Sequence, residues 1–352
     1  MSLDLELNQD EQAVLDGLGM LFDREGGTAL ARQAETHGTG ISRKLWEKLA
    51  ASGFVGLGVP EQAGGGGAPV SVTIQASRAA GRVIAPVPLE AAGFLAPAMV
   101  QLDRDLCAAM VGGQLLATMH LASLGQRSPG HDRQIVVRSG RVSGRTGPVP
   151  YGAAADVILL RAEGEVMVVD IRESGTAVAI PDMGARGLAE IELAGALILA
   201  TVPEPDSASL ATTRILLAAR AVGSAEACLK MAVDYAQQRR QFGRPIGAFQ
   251  AIQHSLADAS ITVSAAVLLV HRAAASLDSE GAALGAWLAG TRAFVEVSRV
   301  AVHVFGGYGF TLEYDPQLFY RSAKALETTL GPRRGISPEV ARKLARHADH
   351  GL

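Results

Sequence analysis

The chain has 352 residues, 48% hydrophobic but only 5% aromatic, and its 32 basic and 35 acidic side chains leave a formal charge of −3. That length points to two or three domains, and a core so poor in aromatics must be built from Ala, Leu and Val, which favours packed helices. The near-even charge leaves no electrostatic footprint for nucleic acid, Cys107 and Cys228 are too few for a disulfide framework and read as buried thiols, and with no signal peptide or ~20-residue apolar span a cytoplasmic protein with no membrane segment is expected.

Residues 8–33 read as one amphipathic helix, with Val14, Leu15, Leu18, Leu21 and Phe22 on a single face. Ser42 is placed to cap a helix through Leu49. The glycine-rich stretch 56–67 reads as a flexible loop, because it lacks the Lys-Ser/Thr of a phosphate-binding P-loop. Helical patterns resume over 70–82, 88–99 and 103–112, so residues 1–115 read as all-helical. Beyond Leu115 the texture changes. Short Val- and Ile-rich runs at 134–138, 156–161 and 165–170, with turns at Ser139-Gly140 and Glu163-Gly164, predict a small β-domain over 116–205, a barrel or sandwich. From Ser209 the pattern is helical again, and 206–352 reads as a third, α-helical domain. One helix runs from Leu210 to Arg239, and a second is marked by Phe249, Ile252, Leu256, Val263, Val267 and Val270. A third covers 281–304, and Asp315-Pro316 fits the N-cap and first residue of a fourth. The class is α+β, mostly α, in the order α, β, α.

Two segments carry chemistry. Arg239 and Phe242-Gly243 follow a predicted helix end. A guanidinium is always charged and forks onto phosphate oxygens, and a phenyl ring can lie against a flat heterocycle. The same residues also fit an exposed helix end with a salt-bridged arginine. In the second segment His303 precedes Gly306 and Gly307, where backbone N–H groups can approach an anion closely. Taken as whole strings, Arg-x-Gln-Phe-Gly-x-x-Ile-x-x-Phe-Gln over 239–250 is specific in content and spacing. So is His-x-x-Gly-Gly-x-Gly over 303–309 with Glu313-Tyr314 and Tyr320-Arg321-Ser-Ala-Lys324 behind it. Together they resemble the flavin-binding signatures of the acyl-CoA dehydrogenase family. Val59-Pro-Glu-Gln-Ala-Gly-Gly65 resembles its N-terminal loop, and the likeness extends over nearly the whole chain.

That resemblance implies an N-terminal helical domain, a central β-barrel or sandwich and a C-terminal four-helix bundle through which subunits associate. It implies FAD held between subunits, the flavin ring on one subunit's β-domain and the diphosphate clasped by Arg239, Phe242, His303, Gly306 and Gly307 of its neighbour. His303 stands where the family usually has Gln, and an imidazole can still donate a hydrogen bond. Arg214 matches a family arginine of the substrate pocket. The implied reaction is α,β-dehydrogenation of an acyl-CoA thioester, with the flavin reoxidised by an electron-transfer flavoprotein.

The departures are concentrated. The family's Thr-Glu-Pro-x-x-Gly-Ser-Asp stretch corresponds here to 118–130, which lacks the Glu-Pro and the Gly-Ser-Asp. Counting back from Asp156, its Trp-Ile-Thr/Ser falls on Pro148-Val149-Pro150, so an indole and a hydroxyl beside the flavin are replaced by prolines without donors. Removing an α-proton needs a carboxylate, yet the family's two positions for that Glu are Leu330 and Thr213 in this chain. Glu327, three residues before Leu330, is a weak substitute that also reads as a solvated helix charge. His254 and Asp258 read as an ordinary i,i+4 pair, His347 and His350 as surface, and no Cys/His cluster has metal-ligand spacing. Two readings follow. In one the chain is the short, base-lacking subunit of a hetero-oligomeric bacterial acyl-CoA dehydrogenase, lending its clasp to a partner's flavin. Its pathway would be fatty acid or sterol side-chain β-oxidation, with a bulky CoA thioester as substrate. In the other it is a self-sufficient homo-oligomer with a displaced base. Related flavin oxidases and hydroxylases keep the fold and change the chemistry.

Overall fold

The computed structural model describes residues 6–91, 99, 103–120, 135–163, 165–184, 186–202, 207–276 and 280–328. Helix α1 (Gln9–Glu25) starts at a reciprocal cap: the Asn8 side chain accepts the Glu11 N–H at 2.9 Å, and the Glu11 carboxylate accepts the Asn8 N–H at 3.1 Å. The single helix expected over 8–33 is two. Gly26 and Gly27 take φ values of 115° and 57°, which ends α1 in a left-handed cap, and the chain restarts as α2 (Ala29–Thr36). In α3 (Arg43–Ala51) the Ser42 hydroxyl accepts the Leu45 N–H at 3.3 Å.

The glycine-rich loop is tied down rather than flexible. The N–H groups of Gly66, Gly67 and Ala68 donate to the carbonyls of Gly56, Val59 and Leu57 at 2.8–2.9 Å. Helix α4 (Val70–Arg82) follows, and α5 (Arg104–Val111) is capped by the Asp103 carboxylate. The helix read over 88–99 lies mostly outside the described residues.

The sheet comprises β1 (Ala117–Met119), β2 (Val136–Arg138), β3 (Arg141–Arg145), β4 (Val157–Ala162), β5 (Glu165–Asp170), β6 (Gly175–Ala179) and β7 (Ala189–Val202). Its order is β1-β4-β5-β7-β3-β2, with β6 also on β7, and all pairings are antiparallel except β1 with β4. Three of these strands were legible as Val-rich runs. The 14-residue β7 was not, although it is the spine of the sheet. Its first half pairs with β3 and β6 and its second half with β5, with register shifts at Val142/Ser143 and Val168/Val169.

The C-terminal helices are α6 (Ser207–Gln238), α7 (Gln250–Ala275), α8 (Glu280–Phe305) and α9 (Pro316–Glu327). The short apolar run at 265–270 is part of the 26-residue α7, which by length and composition alone could cross a membrane. Only 28% of its most apolar window is buried, and Ile261, Leu268 and Leu269 lie exposed. Asp315 is the N-cap of α9 and Pro316 its first residue, as expected, but the Asp315 side chain makes no cap bond; its carboxylate pairs with Arg32 and accepts the Thr28 hydroxyl at 2.7 Å, tying α9 to α2.

Helices α4 and α6 cross with their backbones touching. A Cβ at Gly81 would sit 2.0 Å from the Arg220 carbonyl oxygen, and one at Gly223 would sit 1.9 Å from that of Arg78. The Ser224 hydroxyl donates to the Gly81 carbonyl at 2.7 Å, and Nε of Arg78 and of Arg82 donate to Glu226 at 3.0 and 3.1 Å. Buried Arg220 donates to Glu90 at 3.1 Å, to the Val87 carbonyl at 3.3 Å and to the Ala85 carbonyl. Burial alone would lower the Arg220 pKa, but the adjoining Glu90 carboxylate overrides it and holds the guanidinium charged. Removing either member of such a pair strands a buried charge. Gly223→Ala raises intrinsic helix propensity by about 1 kcal/mol. It is nevertheless expected to destabilise the chain by about 1–3 kcal/mol, because the methyl overpacks the crossing. Urea unfolding followed by circular dichroism measures this, and a stabilised variant would contradict the close approach.

Candidate functional site

The site grows from the ends of α6 and α8. At the close of α6 the Arg239 N–H donates to the Tyr235 carbonyl at 2.8 Å. The chain then reverses in a small hairpin of β8 (Arg240–Gln241) and β9 (Arg244–Pro245). Both turn residues have positive φ, 52° at Phe242 and 80° at Gly243, as a type I′ turn requires. Gly243 adopts this freely, whereas a bulky side chain there is strained. The Phe242 ring is 90% exposed, held edge-on to Phe249 at 6.1 Å, and the Arg244 guanidinium covers Phe249 at 4.2 Å.

From the other side, α8 runs into a 3-10 turn at Gly306–Phe310. His303 is exposed in the last turn of α8. A Cβ at Gly306 or Gly307 would meet nothing within 4 Å, so the backbone faces open space. The Arg239 guanidinium lies 5.8 Å from the centre of the Tyr308 ring, and Tyr235 stacks on Phe305 at 3.9 Å. Arg239, Phe242, His303, Gly306 and Gly307 therefore belong to one outward-facing end of the helical bundle. An open groove of about 1050 Å³ leads from Arg82 and Glu226 along α6 to Tyr235, Phe305 and Tyr314.

The other candidates lie elsewhere. Arg214 is 25 residues before Arg239 on α6, roughly 35–40 Å by helical rise. It is buried and pairs with Glu280 at 3.1 Å, and Thr213 beside it is buried too. Leu330 lies outside the described residues. Glu327 ends α9 and pairs with Lys324 at 2.6 Å, its side chain 16% exposed, so it is an ion-paired and mostly covered carboxylate rather than a solvated one. The buried Pro150 carbonyl accepts the Thr118 hydroxyl at 2.5 Å, while Pro148 is exposed. Most of the stretch corresponding to the Thr-Glu-Pro segment, from 121 on, is outside the described residues. Asp156 is structural: it accepts the Leu116 N–H at 2.8 Å and pairs with Arg43 at 3.0 Å. His254 and Asp258 lie on the exposed side of α7. Cys107 and Cys228 are buried free thiols whose pKa values burial pushes up. Among the described residues no group of His, Cys, Asp and Glu could hold a metal.

Two features escaped sequence reasoning. One is the ring cluster of Tyr235, Phe305, Tyr308 and Tyr314; Tyr235, four residues before Arg239 on a predicted helix, was its available signal. The other is the junction of the three parts of the chain at Tyr151, whose φ is 59°. There Glu90, Thr118, Tyr151, Arg186 and Arg220 line a cavity of about 40 Å³, room for a water or two. Nothing in the sequence marked it.

Family models described as the N-terminal and C-terminal domains of acyl-CoA dehydrogenase match residues 8–102 and 206–343. Acyl-CoA dehydrogenase IpdE2 of Mycolicibacterium smegmatis is 29% identical over 93% of this chain and 96% of its own. Acyl-CoA dehydrogenase FadE27 of Mycobacterium tuberculosis is 30% identical over 97% and 94%. Among solved structures, the ChsE4-ChsE5 complex from Mycobacterium tuberculosis superposes with a TM-score of 0.87 at 26% identity, covering 97% of this chain and 99% of the other. Another, named as a steroid ACAD, gives 0.87 at 25% identity with the same coverage.

Phe242→Asn completes the Asn-Gly pair that type I′ turns prefer. It is expected to stabilise the isolated chain by a few tenths to about 1 kcal/mol. Thermal unfolding checks this, and a loss of stability would mean that the ring serves the fold.

Proposed function

Because the chain belongs to the acyl-CoA dehydrogenase family, we propose that it is a base-lacking subunit of an FAD-dependent acyl-CoA dehydrogenase and lends its clasp to a flavin held by an unlike partner. The observation that carries this reading is Phe242, a ring kept 90% exposed on a strained, positive-φ backbone. Within one chain that arrangement is unfavourable on both counts, and a second molecule covering the ring accounts for both. The residues around it suit a dinucleotide: Arg239 supplies a permanent cation, Phe242 a flat apolar face, and Gly306 and Gly307 bare backbone with open space before it.

The chain's own half-site supports the same reading. Neither Pro148 nor Pro150 has an N–H to offer a flavin ring, and the Thr118 hydroxyl proton is committed to the Pro150 carbonyl. Neither usual base position bears a carboxylate, Thr213 being a buried hydroxyl and Leu330 an alkyl group. Glu327 is held by Lys324. When bound, FAD supplies the hydride acceptor, and the α-proton goes to a carboxylate of the partner. The exposed Ile261, Leu268 and Leu269 on α7 give the bundle an apolar face for association. The likeness to a complex of two differently named chains and to a steroid ACAD favours an unlike partner and a bulky CoA thioester, with electron-transfer flavoprotein as electron acceptor.

The purified chain alone is expected to be colourless and to become yellow only when co-expressed with its dehydrogenase-like partner. A yellow homo-oligomer with one FAD per chain that bleaches on adding acyl-CoA would reject the subunit reading in favour of self-sufficiency. In the partnered complex Glu327→Gln is expected to leave turnover within about twofold, because general-base catalysis is worth some hundredfold or more; a fall of that size would make Glu327 the base.

A further inference from the structure

We propose that four aromatic rings close a circuit around the clasp and station the Arg239 guanidinium before a dinucleotide arrives, which makes Tyr308 a positioning residue. This rests on the flavin reading above. The circuit can be followed link by link. The Arg239 N–H is bound to the Tyr235 carbonyl at 2.8 Å. The Tyr235 ring stacks on Phe305 at 3.9 Å with 15° between planes. Phe305 meets Tyr314 at 5.8 Å and 67°, and Tyr314 meets Tyr308 at 5.3 Å and 48°. Tyr308 lies 5.8 Å beneath the guanidinium of Arg239, which closes the ring. The Phe305–Tyr314 and Tyr314–Tyr308 separations are within the range at which rings attract one another, the Tyr308–Arg239 distance is within that for a ring and a cation, and the Tyr235–Phe305 stack is closer still.

The composition argues that this is more than packing. The chain has only five tyrosines, and Tyr235, Tyr308 and Tyr314 are three of them. Tyr308 and Tyr314 are 45% and 38% exposed, so burial alone is a weak reason for rings there, where a Leu would fill space as well. What Leu lacks is an electron-rich face for a guanidinium. An arginine at an exposed helix end otherwise samples many rotamers, and a ligand must pay for ordering it. Tyr235 and Phe305 lie on separate helices, α6 and α8, so their stack also sets the two halves of the clasp against each other.

The test is a double-mutant cycle on FAD affinity, titrating the flavin-stripped complex of this chain with its co-expressed partner and following flavin fluorescence. Tyr308→Leu is expected to weaken FAD about two- to fivefold, the worth of an exposed cation–π contact. Tyr308→Phe should keep wild-type affinity because it keeps the ring. Arg239→Leu should weaken binding further and flatten its salt dependence. Adding Tyr308→Leu to Arg239→Leu should cost nothing more, because Tyr308 acts through Arg239. Where Arg239→Leu does weaken FAD, a Tyr308→Leu variant with unchanged affinity, or one whose loss persists in full without Arg239, overturns the circuit.

A second readout needs no flavin. The Arg239 Nε–H signal in NMR spectra of this chain should be shifted by the ring current of Tyr308, retained in Tyr308→Phe and lost in Tyr308→Leu. If the shift is present but Arg239→Leu leaves FAD affinity unchanged, the flavin reading fails while the circuit stands. If the shift is absent, the circuit fails whatever the flavin does.

Discussion

The close crossing of α4 and α6 is the constraint on which the rest of the structure depends. Two helix backbones can touch only where neither presents a side chain, and Gly81 and Gly223 provide that gap from opposite sides. Once the helices are in contact, the Arg78 and Arg82 guanidinium groups reach one carboxylate, Glu226, and the Ser224 hydroxyl reaches across to the Gly81 carbonyl. Arg220 then lies deep enough to bind both Glu90 and the carbonyls of the chain segment after α4. The glycines, more than the ion pairs, are the specific element, because a buried pair recovers little beyond its own desolvation.

From that crossing α6 runs outward to the clasp, so one 32-residue helix spans the N-terminal docking contact and the exposed cationic tip. The two ends differ in kind. The docking contact is backbone against backbone, with Arg220 and Ser224 buried and hydrogen-bonded beside it. The tip carries an arginine, a strained phenylalanine, a histidine and bare glycine backbone, all facing outward. Proteins tolerate such local costs where another molecule shares the surface.

Much of this was legible in the chain. The long C-terminal helices announced themselves by apolar spacing, and Ser42 caps α3 as its chemistry suggests. The motif strings over 239–250 and 303–309 carried the family because their content and order are specific. Where the reading went astray, local pattern was the cause. Periodicity ran on through Gly26-Gly27, although left-handed φ at both residues splits the helix there. The glycine-rich loop looked slack because its bonds run backbone to backbone, invisible to side-chain chemistry. Strand β7 hid because its Ala, Gly and Glu content lacks a strand's usual composition, and it takes its place by pairing with three neighbours.

The sequence by itself determined the family, the order of helical and β segments, the absence of a carboxylate at positions 213 and 330, and the permanent charge at Arg239. These depend on residue identity and local spacing, which the linear string contains. Only the tertiary structure decided that Tyr235, Phe305, Tyr308 and Tyr314 form one ring cluster with Tyr308 under Arg239, that Phe242 stands out on a positive-φ turn, and that Gly81 faces Arg220 across a helix crossing. Each of those requires segments distant in sequence to meet, or a backbone angle set by its surroundings, and both arise when the helices pack.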